Sequence, residues 1–264
     1  MAVVTLFTFT SCNKEKAADK VDGAYKGYTL ASSNYFSDMF DADQSMTLTK
    51  MAENTVDVSF SSSTWGTFAV SEAVVEGKEA PLTLSGNGTV KMASMQGEVK
   101  EYACSLTATV YGADSDKNMF DFTVPDVMGG TKVVFYTNTP DPAYYVAGNY
   151  NGTVIYSVGS TEYDPVAATV KLTKSGSGKV NIVLPEVGSG QMSIPALEIS
   201  DIEVTTTDKE VFTLVEKEVS LTVGSVTYTG KVSGTYTNDS LTLNYSLKPG
   251  AMPMYINFVF TGNK

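Results

Sequence analysis

Polar and apolar residues alternate along much of this chain. Thr55-Val56-Asp57-Val58-Ser59-Phe60 puts every second side chain on an apolar face, and residues 45–50, 119–124, 169–173, 179–184 and 240–245 do the same. A period of two marks a strand with one wet face and one dry face. The dry faces collect Met46, Leu48, Val56, Val58, Phe60, Phe120, Phe122 and Val124, and further on Val170, Leu172, Val180, Ile182, Leu184, Leu241, Leu243 and Tyr245. Clusters of turn-forming residues separate the runs: Gly86-Asn87-Gly88, Ser175-Gly176-Ser177-Gly178, Asn238-Asp239 and Pro249-Gly250. No stretch of useful length carries a helical period.

The pattern is written twice. Gly23-Ala24-Tyr25-Lys26-Gly27 recurs as Gly148-Asn149-Tyr150-Asn151-Gly152, and Leu48-Thr49-Lys50 recurs as Leu172-Thr173-Lys174. Val56, Val58 and Phe60 correspond to Val180, Ile182 and Leu184, and Val133-Val134-Phe135-Tyr136 to Phe258-Val259-Phe260-Thr261. The order of the matches holds along the chain, which points to an internal duplication. It predicts one domain over residues 23–138 and a second over 148–264, joined by a linker at 139–147 that begins Thr139-Pro140-Asp141-Pro142. Residues 1–11 read as a signal peptide and 12–22 as a charged tether. About eight strands fit each repeat at ordinary strand and loop lengths. An antiparallel sheet of that size with one dry face removes its exposed edges by closing into a barrel. The expected fold class is therefore all-β, with two tandem antiparallel barrels.

Composition agrees and then narrows the chemistry. Val and Thr supply 63 of the 264 residues, against 14 Leu and 3 Gln, which is the bias of a β protein. The net charge is −11, every base is Lys, and there is no His or Arg. Nucleic-acid binding, which needs clustered cations, is excluded on charge. The missing His removes the serine triad, the imidazole general base and the imidazole metal site. No cofactor is implied, and no catalytic set stands out. Asp114-Ser115-Asp116-Lys117-Asn118 spaces oxygens like a calcium loop, but Met119 and Pro125 occupy the positions that need Gly and Glu, so a hairpin loop with Asx turns is expected.

Residues 2–11 are uncharged, mostly apolar and too short to span a bilayer as a helix. Small residues Thr10 and Ser11 precede Cys12, and Asn13-Lys14-Glu15-Lys16 follows it. This arrangement resembles the lipobox of bacterial lipoproteins, in which the Cys is acylated and becomes the new N-terminus. It implies a membrane anchor at Cys12 and a place in the cell envelope, at the outer membrane. The charged segment that opens such signals is missing, so the true start of the signal is expected upstream of Met1. The alternative is an ordinary signal peptide with Cys12 oxidised to Cys104. If Cys12 is acylated, Cys104, in the strand-like Tyr102-Ala103-Cys104-Ser105-Leu106, is a buried free thiol.

Gly-x-Tyr-x-Gly opening each repeat is similar to the Gly-x-Trp start of lipocalins. With the strand series, the duplication and the export signal, the chain resembles the calycin-like β-barrel domain of bacterial surface lipoproteins, over both repeats from Gly23 onward. Tyr25 and Tyr150 replace the Trp, and no Arg is present to cap the barrel floor. The resemblance implies binding rather than catalysis. An eight-stranded barrel is either filled by side chains or holds one small ligand, and the large residues on these dry faces favour filling. Residues 28–43, with Tyr28, Tyr35, Phe36, Met39 and Phe40, are expected to lid the first barrel, to form an apolar patch, or to pack as a short helix or loop on its end. The candidate ligand-binding residues are Tyr25, Phe36, Phe40 and Trp65, near the mouth of that barrel. The expected function is non-catalytic binding of a small apolar or glycan-type ligand. The alternative is a structural or adhesive surface module with a protein partner. An internal cavity would favour the first, and solid barrels with an exposed apolar patch the second.

Overall fold

The computed structural model describes residues 16–93, 97–188 and 193–264. The chain divides after Pro140 into two compact units. In the first, β1 (Gly23–Ser32), β2 (Met39–Ala52), β3 (Thr55–Ser62), β4 (Gly66–Glu76), β5 (Leu82–Ala93), β6 (Val99–Val110), β7 (Met119–Val124) and β8 (Thr131–Tyr136) follow one another as an antiparallel meander. β8 pairs back onto β1, which closes the barrel. The second unit begins with a short helix, α1 (Pro142–Val146), and continues through β9 (Gly148–Val158), β10 (Thr161–Glu162), β11 (Val166–Gly176), β12 (Lys179–Leu184), β13 (Leu197–Thr206), β14 (Val211–Val223), β15 (Val226–Thr237), β16 (Ser240–Pro249) and β17 (Ile256–Asn263). β17 pairs back onto β9, so eight strands close this barrel too, and the two-residue β10 hangs on the end of β9.

The alternating pattern predicts the interior. Every dry-face residue named above, from Met46 to Tyr245, is at most 4 % exposed. The first barrel is packed with rings: Phe68 lies 4.8 Å from Phe122 and 5.4 Å from Phe60, centroid to centroid, and Phe135 edges onto Phe60 at 5.6 Å. These are the offset and edge-on spacings aromatic rings prefer. Each barrel has its own separate core.

Each repeat has its own closed end, built in the same way. Ahead of β1, a 3-10 turn at Ala18–Lys20 buries Ala18 and Val21. It is tied to the β2–β3 turn by a bond from Ala18 N to Glu53 O (3.1 Å) and by the Lys50–Asp19 ion pair. Ahead of β9, α1 buries Ala143 and Val146 in the same place. Asp141 caps α1 by accepting from Ala143 N, and also accepts from Gly178 N and pairs with Lys174 at 3.3 Å. Composition alone assigns residues 142–146 to a linker and 16–22 to a tether. The structure gives both stretches a barrel to close, because each carries two small apolar residues at the spacing that buries one side of a turn. The repeated tyrosines lock them. Tyr25 Oη donates to Val21 O at 2.6 Å, and Tyr150 Oη donates to Val146 O at 2.8 Å.

Two segments differ from expectation. Gly86-Asn87-Gly88 is not a turn but the middle of β5. A Cβ at Gly88 would sit 2.1 Å from Ala69 O, and one at Gly86 would sit 2.7 Å from Val70 Cγ1. The glycines are there for close strand approach, not for turning. They face a bulge in β4, where Glu72 takes φ 52° and its N–H is satisfied by Asp57 Oδ1 at 2.8 Å. The second barrel repeats the device in β13: Asp201 has φ 53°, and its N–H bonds Asn181 Oδ1 at 3.0 Å. Residues 28–43 form no helix. They are the upper ends of β1 and β2 and the loop joining them.

Candidate functional site

The end of each barrel opposite the tyrosine-locked floor is its mouth. In the first barrel Trp65, in the β3–β4 turn, stacks on Phe36 of the β1–β2 loop at 5.4 Å. Ser62 Oγ holds that turn by accepting from the N–H groups of Thr64 and Trp65, and donates to Asp41 Oδ2 at 3.0 Å. Trp65 is only 6 % exposed, and its buried Nε1 has no hydrogen-bond partner among the described residues. Of the four residues singled out for this mouth, Phe36 and Trp65 are brought together there. Tyr25 lies at the floor with its ring edge-on to Phe120 at 5.1 Å. Phe40 packs on Tyr28 at 5.7 Å, and Tyr28 stacks on Tyr136 at 5.3 Å. Phe135 belongs to the core, so its neighbour Tyr136 faces out, and this trio lines the outer wall. The cause lies on β2, which advances three residues, Gln44 to Asp41, while β1 advances two, Gly27 to Thr29, so that Phe40 is turned outward; Tyr28 faces out by the same alternation that puts Tyr25 and Thr29 inside. Cys104 is a buried free thiol, and burial pushes its pKa up, which makes it unreactive. Cys12 lies outside the described residues. Among the described residues no group of Cys, Asp and Glu could hold a metal.

The second barrel carries a recess that the sequence reading did not single out. A cavity of about 420 Å³ opens at its mouth, lined by Ile194, Val226, Tyr228, Pro249, Met252 and Ile256, with Ser193 at the edge. Most of its lining side chains are apolar. In the inward layer beneath, Tyr245 stacks on Phe258 at 4.6 Å, Phe258 on Tyr156 at 6.0 Å, and Tyr156 on Tyr163 at 4.6 Å. This ladder of rings crosses β16, β17 and β9 to the rim. Tyr245 Oη is buried with no hydrogen-bond partner among the described residues, and burial alone pushes its pKa up. An unmet buried hydroxyl is costly in a finished core. No sequence signal marks this site, because it joins Ile194 of a loop to the ends of β15, β16 and β17.

The family model for the calycin-like β-barrel domain matches residues 21–139 and again 146–263. The chain belongs to this family. Both calycin-like domains are therefore accounted for by the two closed barrels, and the sequence resemblance is correct. Among solved structures, a candidate outer membrane protein from Bacteroides fragilis NCTC 9343 is similar over 94 % of this chain and 100 % of its own, at 27 % identity and a TM-score of 0.77. The transferrin binding protein B of Haemophilus parasuis Hp5 aligns over 92 % of this chain and 59 % of its own at 12 % identity, with a TM-score of only 0.26. No curated protein matches the chain.

Proposed function

We propose that this tandem calycin-like protein is a non-catalytic binding protein of the bacterial cell envelope, anchored through Cys12, and that it takes a small apolar ligand at the mouth of the second barrel. The observation that carries the reading is the apolar recess of about 420 Å³. Its size falls in the range of small-molecule sites, roughly 300–1,000 Å³. Most of its lining side chains are apolar, the Tyr228 ring among them, so the favoured ligand is apolar. The description of the Bacteroides fragilis relative supports the envelope address. The small-residue-Cys pattern at Thr10-Ser11-Cys12 supports the anchor.

A second reading, a surface module that contacts another protein, draws support from the filled first barrel and the apolar side chains at its mouth. Tyr35 is 80 % exposed and Val99 67 %. Native mass spectrometry separates the two readings. The full chain, purified gently from a bacterial envelope, is expected to carry a discrete extra mass that organic extraction removes. Met252→Glu, which puts a charge at the lip of the recess, is expected to abolish that mass. A bare polypeptide mass in both proteins would favour the protein-partner reading.

A further inference from the structure

The outer wall of the second barrel carries a separate and chemically different groove. It runs over β14–β17 and has two connected lobes of about 640 and 470 Å³, which share Lys231, Ser246 and Asn257. Strand register places its polar groups in two rows. Glu218 pairs with Lys231, Lys231 with Ser246, and Ser246 with Asn257. Beside them Ser233 pairs with Asn244, and Asn244 with Val259. Neighbouring strands lie about 4.8 Å apart and alternate residues about 6.8 Å apart, so the side chains form a regular lattice on one face. Among the described residues, no side chain of Ser233, Asn244, Ser246 or Asn257 bonds to the protein. Met254 and Tyr255 form one rim, each 48 % exposed, and the Tyr255 ring packs on no other ring among the described residues.

We infer that this groove binds a neutral, polyhydroxylated ligand, a short oligosaccharide. Charge selects against the alternatives. The groove's one lysine, Lys231, is held by Glu216 at 2.9 Å and faces Glu218 across the ladder, so the groove carries excess negative charge on a chain of net charge −11. An anion is repelled, and a purely apolar ligand would bury four hydrogen-bonding side chains without partners, each at a desolvation cost. A sugar offers hydroxyls at a spacing the Ser and Asn lattice can meet and a C–H face for the open Tyr255 ring. This inference does not depend on the apolar recess, which lies on the inner side of the same wall.

Saturation-transfer NMR and calorimetry on the full chain would test it, with maltotriose, cellotriose, xylotriose, mannotriose and chitotriose as probes. At least one is expected to bind at millimolar concentration or tighter, with transfer to its ring protons. Tyr255→Ala and Asn257→Ala are expected to weaken it about tenfold or more, as for loss of an anchoring contact. Both residues are exposed on the surface, so an unchanged melting curve confirms the fold of each variant. Met252→Glu, at the mouth recess, is expected to leave sugar affinity unchanged. Absence of binding by all five sugars overturns the inference, and so does binding that both groove variants retain.

Discussion

At the scale of single residues, Tyr25 and Tyr150 show how one side chain can secure a barrel. Each is fully buried and spends its only donor on a carbonyl four positions upstream, fastening the floor segment to the first strand. Tyr150→Phe keeps the ring and orphans Val146 O, so it is expected to cost about 1–2 kcal/mol. Tyr150→Ala also empties the floor and is expected to cost about 3–5 kcal/mol, by analogy with other buried aromatics. Denaturant titration of the two variants would show the gap, and equal losses would mean the hydroxyl bond contributes nothing. The same residues set an alkaline limit. Burial raises the pKa of Tyr25, Tyr150, Tyr236 and Tyr245, because the folded state cannot solvate a phenolate. A raised folded pKa gives stability that is full below the unfolded value near pH 10 and is lost as pH rises through the folded one. The buried class of Tyr25, Tyr150, Tyr236 and Tyr245 is expected to ionise only together with loss of the far-UV CD signal. A single class that titrates with the CD signal intact would count against this account.

At the scale of elements, the strands were legible and their irregularities were not. Alternation places Val56, Val58 and Phe60 on an inward face because burial acts on every second side chain. That holds wherever the pairing is regular. It fails on β2 past Gln44, where an extra residue opposite Gly27–Thr29, with Asp43 at φ 53°, sends Phe40 to the outer wall. It also fails at Gly86-Asn87-Gly88, since glycine marks both a turn and a tight strand crossing. The mouth recess was invisible for a related reason: it joins a loop residue, Ile194, to strand ends distant in sequence. The reading of β5 can be checked. Gly88→Ala is expected to destabilise the first barrel by about 1–3 kcal/mol, the usual cost of overpacking, because its Cβ would meet backbone rather than a yielding side chain. Were Gly88 a turn glycine at positive φ, Gly88→Asn would be tolerated. With the strand as found, Asn is expected to cost at least as much as Ala.

At the scale of the whole molecule, duplication has given two barrels, each with its own floor of the same design and with different mouths. Their cores are separate, one drawing on residues from Ala18 to Phe135 and the other on residues from Ala143 to Phe260. The single tryptophan, Trp65, sits in the first, so its fluorescence reports on that barrel alone, while far-UV CD sums both. Separate cores imply that damage to one floor stays local. Tyr150→Ala is therefore expected to split urea unfolding into two steps by CD, the earlier one silent in Trp65 emission and the later one at the wild-type fluorescence midpoint. Tyr25→Ala reverses the assignment: the fluorescence transition moves to lower urea, and the CD signal that remains belongs to the second barrel. If Tyr150→Ala instead shifts the Trp65 midpoint by as much as the CD midpoint, the two barrels unfold as one cooperative unit, and the repeat is a device of stability as well as of function.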